Sequence, residues 1–314
     1  MAEIERVAES KHEQAKKKNR IGLFFKGIAM GAADVVPGIS GGTVAFITGI
    51  YEELINSLTA FNLTAVKLLL SGNIKAVWQH VNAPFLLVLF GGILTSIFSL
   101  TKLISWALNT HPKLVWGYFF GLIAASVIVI GRQIKFSRWS NAVVFVLAAW
   151  LAFELTRLTS VATTPSQLFF FVAGAIAICA MILPGISGSF ILLLLGMYQP
   201  VIDAVHDFNG LILGTFALGC AAGLLSFTHL LSWLLRHFHA ATLAALTGFM
   251  LGSLNKVWPW KVPYEDAIDS NVWPSQYQLL THSDSQILGV VLALCLGLLT
   301  ILVIDRASYG KPSD

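Results

Sequence analysis

The chain runs to 314 residues, of which 56% are hydrophobic and 11% charged. A water-soluble globular chain carries about a quarter charged residues, so the polar surface of a soluble protein is missing here and long lipid-facing segments account for the deficit. The formal net charge of +4 lies in short clusters at the ends of apolar segments, which marks membrane topology rather than a nucleic-acid-binding face.

Residues 1–20 form a basic tail with Lys16, Lys17, Lys18 and Arg20, expected in the cytoplasm, and no secretory cleavage site follows it. The first apolar segment, about 23–58, breaks at Val36-Pro37-Gly38-Ile39-Ser40-Gly41-Gly42. Continuous helices are predicted at about 84–108, 114–131 and 141–158. A second broken segment, about 168–200, breaks at Leu183-Pro184-Gly185-Ile186-Ser187-Gly188-Ser189. Helices at about 211–235, 240–257 and 285–305 follow, the last two separated by a polar loop with Trp and Pro at 258–284. Cys179, Cys220 and Cys295 fall inside apolar segments, as packing residues rather than disulfides or ligands.

The halves repeat. Pro37-Gly38-Ile39-Ser40-Gly41 recurs as Pro184-Gly185-Ile186-Ser187-Gly188, and at the same offset Gly49 and Tyr51 meet Gly196 and Tyr198. Further on the offset shortens: Gly92 meets Gly219, Ser105-Trp106 meets Ser232-Trp233, and Gly121 meets Gly248. The first half therefore carries an extra stretch, placed in the loop near 61–82. The organisation expected is a tail at 1–20, a first membrane repeat at 21–160, a second at 161–260, a polar external loop at 261–284, and a final span with a cytoplasmic end at 285–314.

Each half of a broken segment is shorter than the roughly 20 residues a spanning helix needs, so both breaks read as re-entrant hairpins. With the amino terminus inside, Lys67, Lys75, Arg132, Lys135, Arg138, Arg236, Arg306 and Lys311 then face the cytoplasm. The outside receives only Lys113, Arg157, Lys256 and Lys261, beside Asp203, Asp207, Glu265, Asp266 and Asp269. The positive-inside rule favours this arrangement over spanning hairpins. The fold expected is an all-α polytopic membrane protein of two inverted repeats, with about six spanning helices, two re-entrant hairpins and both termini cytoplasmic. Such duplication recurs among secondary transporters.

At each break a proline removes a donor and glycines permit tight turns. A new helix then starts at Ser40-Gly41-Gly42-Thr43 or Ser187-Gly188-Ser189, with a serine suited to cap it. Its first N–H groups lack helical partners and the helix dipole is positive there. Ser40, Gly41, Gly42, Thr43, Ser187, Gly188 and Ser189 are the candidate anion donors, and phosphate suits them. The competing reading is a pair of kinks that only pack helices. The motif is no P-loop, since it lacks the Gly-Lys-Ser/Thr ending.

Ionisable residues at membrane depth are functional candidates. Asp34 precedes Pro37 by three residues and aligns with Met181, so a proton role belongs to one half; a capping carboxylate is the alternative. Glu52 aligns with Gln199, and Lys102 aligns with His229; the latter two are candidates for steering a phosphate. Glu154 and Arg157 stand three apart and suit a mutual pair. His237 and His239 read as interfacial, and no metal-ligand spacing occurs.

The stretch Ala33-Asp34-Val35-Val36-Pro37-Gly38-Ile39-Ser40-Gly41-Gly42-Thr43, then Gly49-Ile50-Tyr51-Glu52, with the second Leu183-Pro184-Gly185-Ile186-Ser187-Gly188-Ser189, resembles the bacterial polyprenyl-phosphate transporter family PopT, formerly domain of unknown function 368. The resemblance covers nearly all of the chain after the tail. It implies a flippase, not an enzyme, that returns undecaprenyl phosphate from the outer to the cytoplasmic leaflet of the bacterial inner membrane, supporting peptidoglycan recycling. The partners implied are the carrier lipid and the bilayer, with a homodimer compatible, and neither cofactor, metal nor nucleic acid. In that setting Asp34 and Glu52 would answer to protons, and Lys102 or Arg157 would draw in the head group. A transporter of a soluble anion or small solute, a membrane lipid phosphatase and a structural protein are the competing classes.

Overall fold

The computed structural model describes residues 20–36, 40–134, 136, 138–158, 166–263 and 269–309. The tail to residue 19, Pro37-Gly38-Ile39, Lys135, Glu265, Asp266 and Lys311 lie outside these.

Helix α1 (20–35) leads to the first break. The chain resumes as α2 (Gly41–Ile47) and α3 (Tyr51–Thr59), with Gly49 at φ 71 in the turn between them. The extra stretch of the first half is not an open loop. It folds into two short helices, α4 (Leu63–Leu70) and α5 (Ile74–His80), capped by the Asn62 and Asn73 side chains. Then come α6 (Ala83–Thr110), α7 (Pro112–Gly131) and α8 (Trp139–Leu155). Prolines in the first turns of α6 and α7 help to start both helices, because the missing N–H would lack a helical partner there anyway. The second half repeats this order: α9 (Gln167–Ile182), the break, α10 (Gly188–Leu194), α11 (Tyr198–His206), α12 (Gly210–His237) and α13 (His239–Ser253). The polar loop is partly structured. It holds a two-stranded antiparallel ribbon, β1 (Lys261–Pro263) against β2 (Asp269–Asn271), and helix α14 (Pro274–Thr281), a small exception to the all-α expectation. Helix α15 (Ile287–Tyr309) completes the described chain.

Among the described residues, four helices are long and apolar enough to cross a membrane: α6, α7, α12 and α15. The bent pair α10–α11, folded by 109°, would make a fifth if it counts as one span. Helices α8 and α13, expected as full spans, have 17 and 15 residues. Lipid-facing chemistry is evident on the outer surfaces: Phe98 is 83% exposed on α6 and Leu288 is 75% exposed on α15. The protein is an all-α multi-pass membrane protein in its essentials.

Four close helix pairs build the bundle, each seated on glycines four residues apart. On α1, Gly27 lies against Leu89 and Gly92 of α6, and Gly31 against Ile93 and Ser96. On α12, Gly219 meets Phe171 and Gly223 meets Ala175 of α9. On α7, Gly117 meets Val290 and Gly121 meets Leu294 of α15. On α13, Gly248 meets Phe145 and Gly252 meets Ala149 of α8. Residue numbers rise together on both partners every time, so all four pairs run parallel. A Cβ on Gly121 would stand 2.1 Å from the Leu294 carbonyl oxygen, so only glycine lets these backbones approach so closely. In lipid such contact replaces the hydrophobic drive that soluble helices use.

The first hairpin lies in the main core. Val36, Ala45, Tyr51, Ile55, Leu89 and Met250 are buried in one cluster with residues of α1, α6, α12 and α13 around them. Helix α2 is buried along six of its seven residues. The second hairpin borders two smaller clusters instead.

Candidate functional site

The two breaks meet. Helix α9 ends at Ile182, and its last carbonyls have no helical donors. The first hairpin supplies them: Ser40 Oγ donates to the Met181 carbonyl at 2.5 Å, and Tyr51 OH donates to the Ile182 carbonyl at 3.2 Å. In return, the Gly185 N–H donates to Thr43 Oγ1 at 2.9 Å. Ser40 and Thr43 are fully buried. Gly42 is required by the same approach, since a Cβ there would lie 2.5 Å from the Ile182 carbonyl oxygen. The positive start of α2 thus faces the negative end of α9, a favourable dipole arrangement.

The start of α2 is fully capped. Ser40 Oγ accepts from the Gly42 N–H at 3.0 Å, and Asp34 Oδ1 accepts from the Gly41 N–H at 2.6 Å. Asp34 is therefore a carboxylate seated on the N–H group proposed for an anion. The start of α10 differs. Ser187 occupies the cap position without a side-chain cap bond, and its Oγ pairs instead with Ser189 Oγ at 2.8 Å. Gly185, at φ 94, makes the turn that brings this second break against α13; a Cβ there would meet Ser253 Oγ at 2.8 Å.

A cavity of about 1170 Å³ opens at the bundle end where α1 begins. Its walls include Lys26, Thr48 to Glu52, Gln133, His239 and Asp305. Three contacts hold the hairpin turn there: Lys26 Nζ donates to the Thr48 carbonyl at 2.7 Å, Glu52 pairs with His239 at 2.8 Å, and Asn82 Nδ2 donates to Glu53 at 3.0 Å. Tyr51 lines the cavity with one part and reaches the second break with its hydroxyl. Its ring packs edge-on against Phe46 with centroids 5.2 Å apart.

Of the residues singled out by sequence, the fold brings Ser40, Gly42 and Thr43 against the second break, which Ser187, Gly188 and Ser189 follow, and holds Asp34 to Gly41 within the first. Glu52 belongs to the cavity instead. Lys102 is exposed on α6, and His229 is exposed on α12 with its Nδ1 2.7 Å from the Leu225 carbonyl. Arg157 pairs with Glu154 at 3.6 Å, as the spacing suggested. Among the described residues, none of these last three meets the breaks. Tyr51, Lys26 and His239 were not singled out for these contacts; the recurrence of Tyr51 as Tyr198 was the one available signal.

The profile of the VCA0040-like family, described as undecaprenyl phosphate translocase-like, matches residues 30–273, a span that holds both breaks. The chain belongs to this family. A polyprenyl-phosphate transporter of Vibrio cholerae is 48% identical over 307 residues, covering 94% of this chain and 99% of the relative. A polyprenyl-phosphate transporter of Staphylococcus aureus is 30% identical over 257 residues, covering 75% of this chain and 85% of that protein. No solved structure matches the chain.

Proposed function

We infer that this protein is a translocase for a polyprenyl phosphate, undecaprenyl phosphate by family, which carries the phosphate across the membrane interior while the isoprenoid tail stays in lipid. The observation that carries the reading is the Asp34 carboxylate on the Gly41 N–H. An anionic oxygen already suits that position, and a phosphate oxygen presents the same acceptor. Ser40, Gly41, Gly42 and Thr43, with Ser187, Gly188 and Ser189, are the proposed head-group ligands. They are hydroxyls and N–H groups, which hold a phosphate without trapping it as several buried cations would.

Asp34 and phosphate compete for one donor, and this makes proton coupling natural. A hydrogen bond to a charged acceptor is worth about 1.5–3 kcal/mol, against about 0.5–1.5 for a neutral pair. A proton on Asp34 weakens its hold and yields the N–H to the lipid. Loss of that proton on the other side restores the carboxylate and expels the head group. The direction proposed is from the outer to the cytoplasmic leaflet of a bacterial inner membrane.

The helix pairs support an inverted repeat. α1–α6 corresponds to α9–α12, and α7–α15 to α13–α8, so one pattern of parallel pairs occurs twice. Single residues, His111 and Phe238, join α6 to α7 and α12 to α13. With those joints and the α7–α8 loop as reversals, α9 runs opposite to α1 and the hairpins enter from opposite faces. Both termini then face the cytoplasm, and the cavity is the cytoplasmic opening, closed from the breaks by Tyr51. Hairpins of this kind at a repeat interface suit alternating access.

The test is reconstitution in liposomes with labelled undecaprenyl phosphate in one leaflet and inorganic phosphate outside. Protein-dependent movement of the lipid between leaflets is expected. Accumulation of the soluble anion without lipid movement would assign the protein to soluble-anion transport instead.

A further inference from the structure

We propose that α4 and α5 form an in-plane anchor in the membrane interface, bound to the surface of an anionic bilayer and fixing the depth of the first hairpin. Their lengths of 8 and 7 residues give about 12 Å or less at 1.5 Å per residue, far short of the roughly 30 Å hydrocarbon layer. They cannot span it, yet they are not shaped for water either. Leu63 is 79% and Leu70 82% exposed, and Val66, Ile74 and Trp78 are exposed with them. On α4 only Ala65 is buried. So much uncovered apolar surface in two helices marks an interaction face rather than scattered surface residues.

Three observations name lipid as the occupant. The face is continuous with the lipid-facing side of α6, on which α5 packs and where Leu87, Phe90, Leu94 and Phe98 are exposed. The charged residues of the pair, Lys67 and Lys75, are both cationic, and neither helix carries an Asp or Glu, which complements anionic head groups. Trp78 supplies the aromatic side chain preferred at the water–lipid boundary. The anchor is tied to the hairpin as well. Asn82, after α5, donates to Glu53 of α3, and His80 Nε2 lies 3.4 Å from Asn62 Oδ1. The second half has no matching stretch, so only the first hairpin is held to the interface in this way.

The experiment uses the full chain in vesicles of phosphatidylethanolamine and phosphatidylglycerol, photolabelled with an apolar carbene reagent dissolved in the bilayer. Peptides spanning 61–78 should label within about threefold of the lipid-facing α6 peptides, because both faces lie in acyl-chain density. Labelling of 61–78 about tenfold or more below α6 would overturn the proposal. Cross-links joining 61–78 of two copies, with labelling lost, would overturn it too, in favour of a homodimer face. Leu63→Glu with Leu70→Glu should lower labelling of this segment alone at an unchanged melting temperature. Unchanged labelling in a folded variant would count against the anchor.

Discussion

Replacing Thr43 by Val keeps the side-chain volume but removes the acceptor for the Gly185 N–H, a bond of 2.9 Å between fully interior groups. The donor left behind cannot reach water. An unsatisfied interior N–H costs about 1–3 kcal/mol, and at about 1.4 kcal/mol per decade this shifts the balance between joined and separated breaks by about 5- to 150-fold. Hydrogen–deuterium exchange of the peptide containing Gly185, in detergent micelles, reads that balance. Faster exchange by a factor in this range is expected for Thr43→Val, with Thr43→Ser close to wild type because it restores the oxygen. Unchanged exchange at Gly185 in Thr43→Val, with exchange elsewhere equal to wild type, would refute the claim that Thr43 holds the breaks together.

Asp34→Asn keeps an oxygen for the Gly41 N–H and removes the charge; translocation in liposomes should lose its response to an applied proton gradient, whereas a retained response would place coupling elsewhere. Gly185→Ala combines strain at φ 94 with a clash at Ser253 Oγ, each costing about 1–3 kcal/mol. Its melting temperature should fall by at least about 3 °C, and a shift within about one degree would show that the second break relaxes freely. Glu52→Gln removes the carboxylate charge from the contact with His239, which is half exposed on both sides and worth about 1 kcal/mol at most. Thermal stability should therefore hardly change, and a large loss would show that this pair carries the hairpin turn.

Much of this fold was legible in the chain. The recurring Pro-Gly-Ile-Ser-Gly located both helix breaks, and the serine expected to cap α2 does so at Ser40. The glycine matches between the halves proved to be contact points: Gly121 and Gly248 both seat parallel pairs. Their spacing from Gly117 and Gly252 was also written in the sequence, as small residues four apart. The joining of the breaks was not legible, because its acceptors at Met181 and Ile182 are main-chain carbonyls more than a hundred residues from Ser40 and Tyr51. Any residue offers a carbonyl, so identity carries no signal. The exposure of Lys102 and His229 was not legible for a different reason. Sequence places them at a level on α6 and α12, but the rotation of each helix is set by packing, here by Gly92 against α1 and Gly223 against α9. That rotation turns both side chains outward. The polar loop hid a ribbon because β1 and β2 have three residues each, too few for an alternating pattern.

The claim at the centre of this account is that the paired breaks recognise phosphate. Calorimetric binding to the purified protein, comparing a polyprenyl phosphate with the polyprenol that lacks the phosphate, tests it most directly. The phosphate form should bind at least about tenfold more tightly, the equivalent of one charge-assisted hydrogen bond. Ser40→Ala with Ser187→Ala should erase most of that difference and weaken head-group binding more than it lowers expression, the lost Ser40 cap itself costing about 0.5–2 kcal/mol of stability. Equal affinity for the two lipids, or a double variant that keeps the full preference for phosphate, would contradict it.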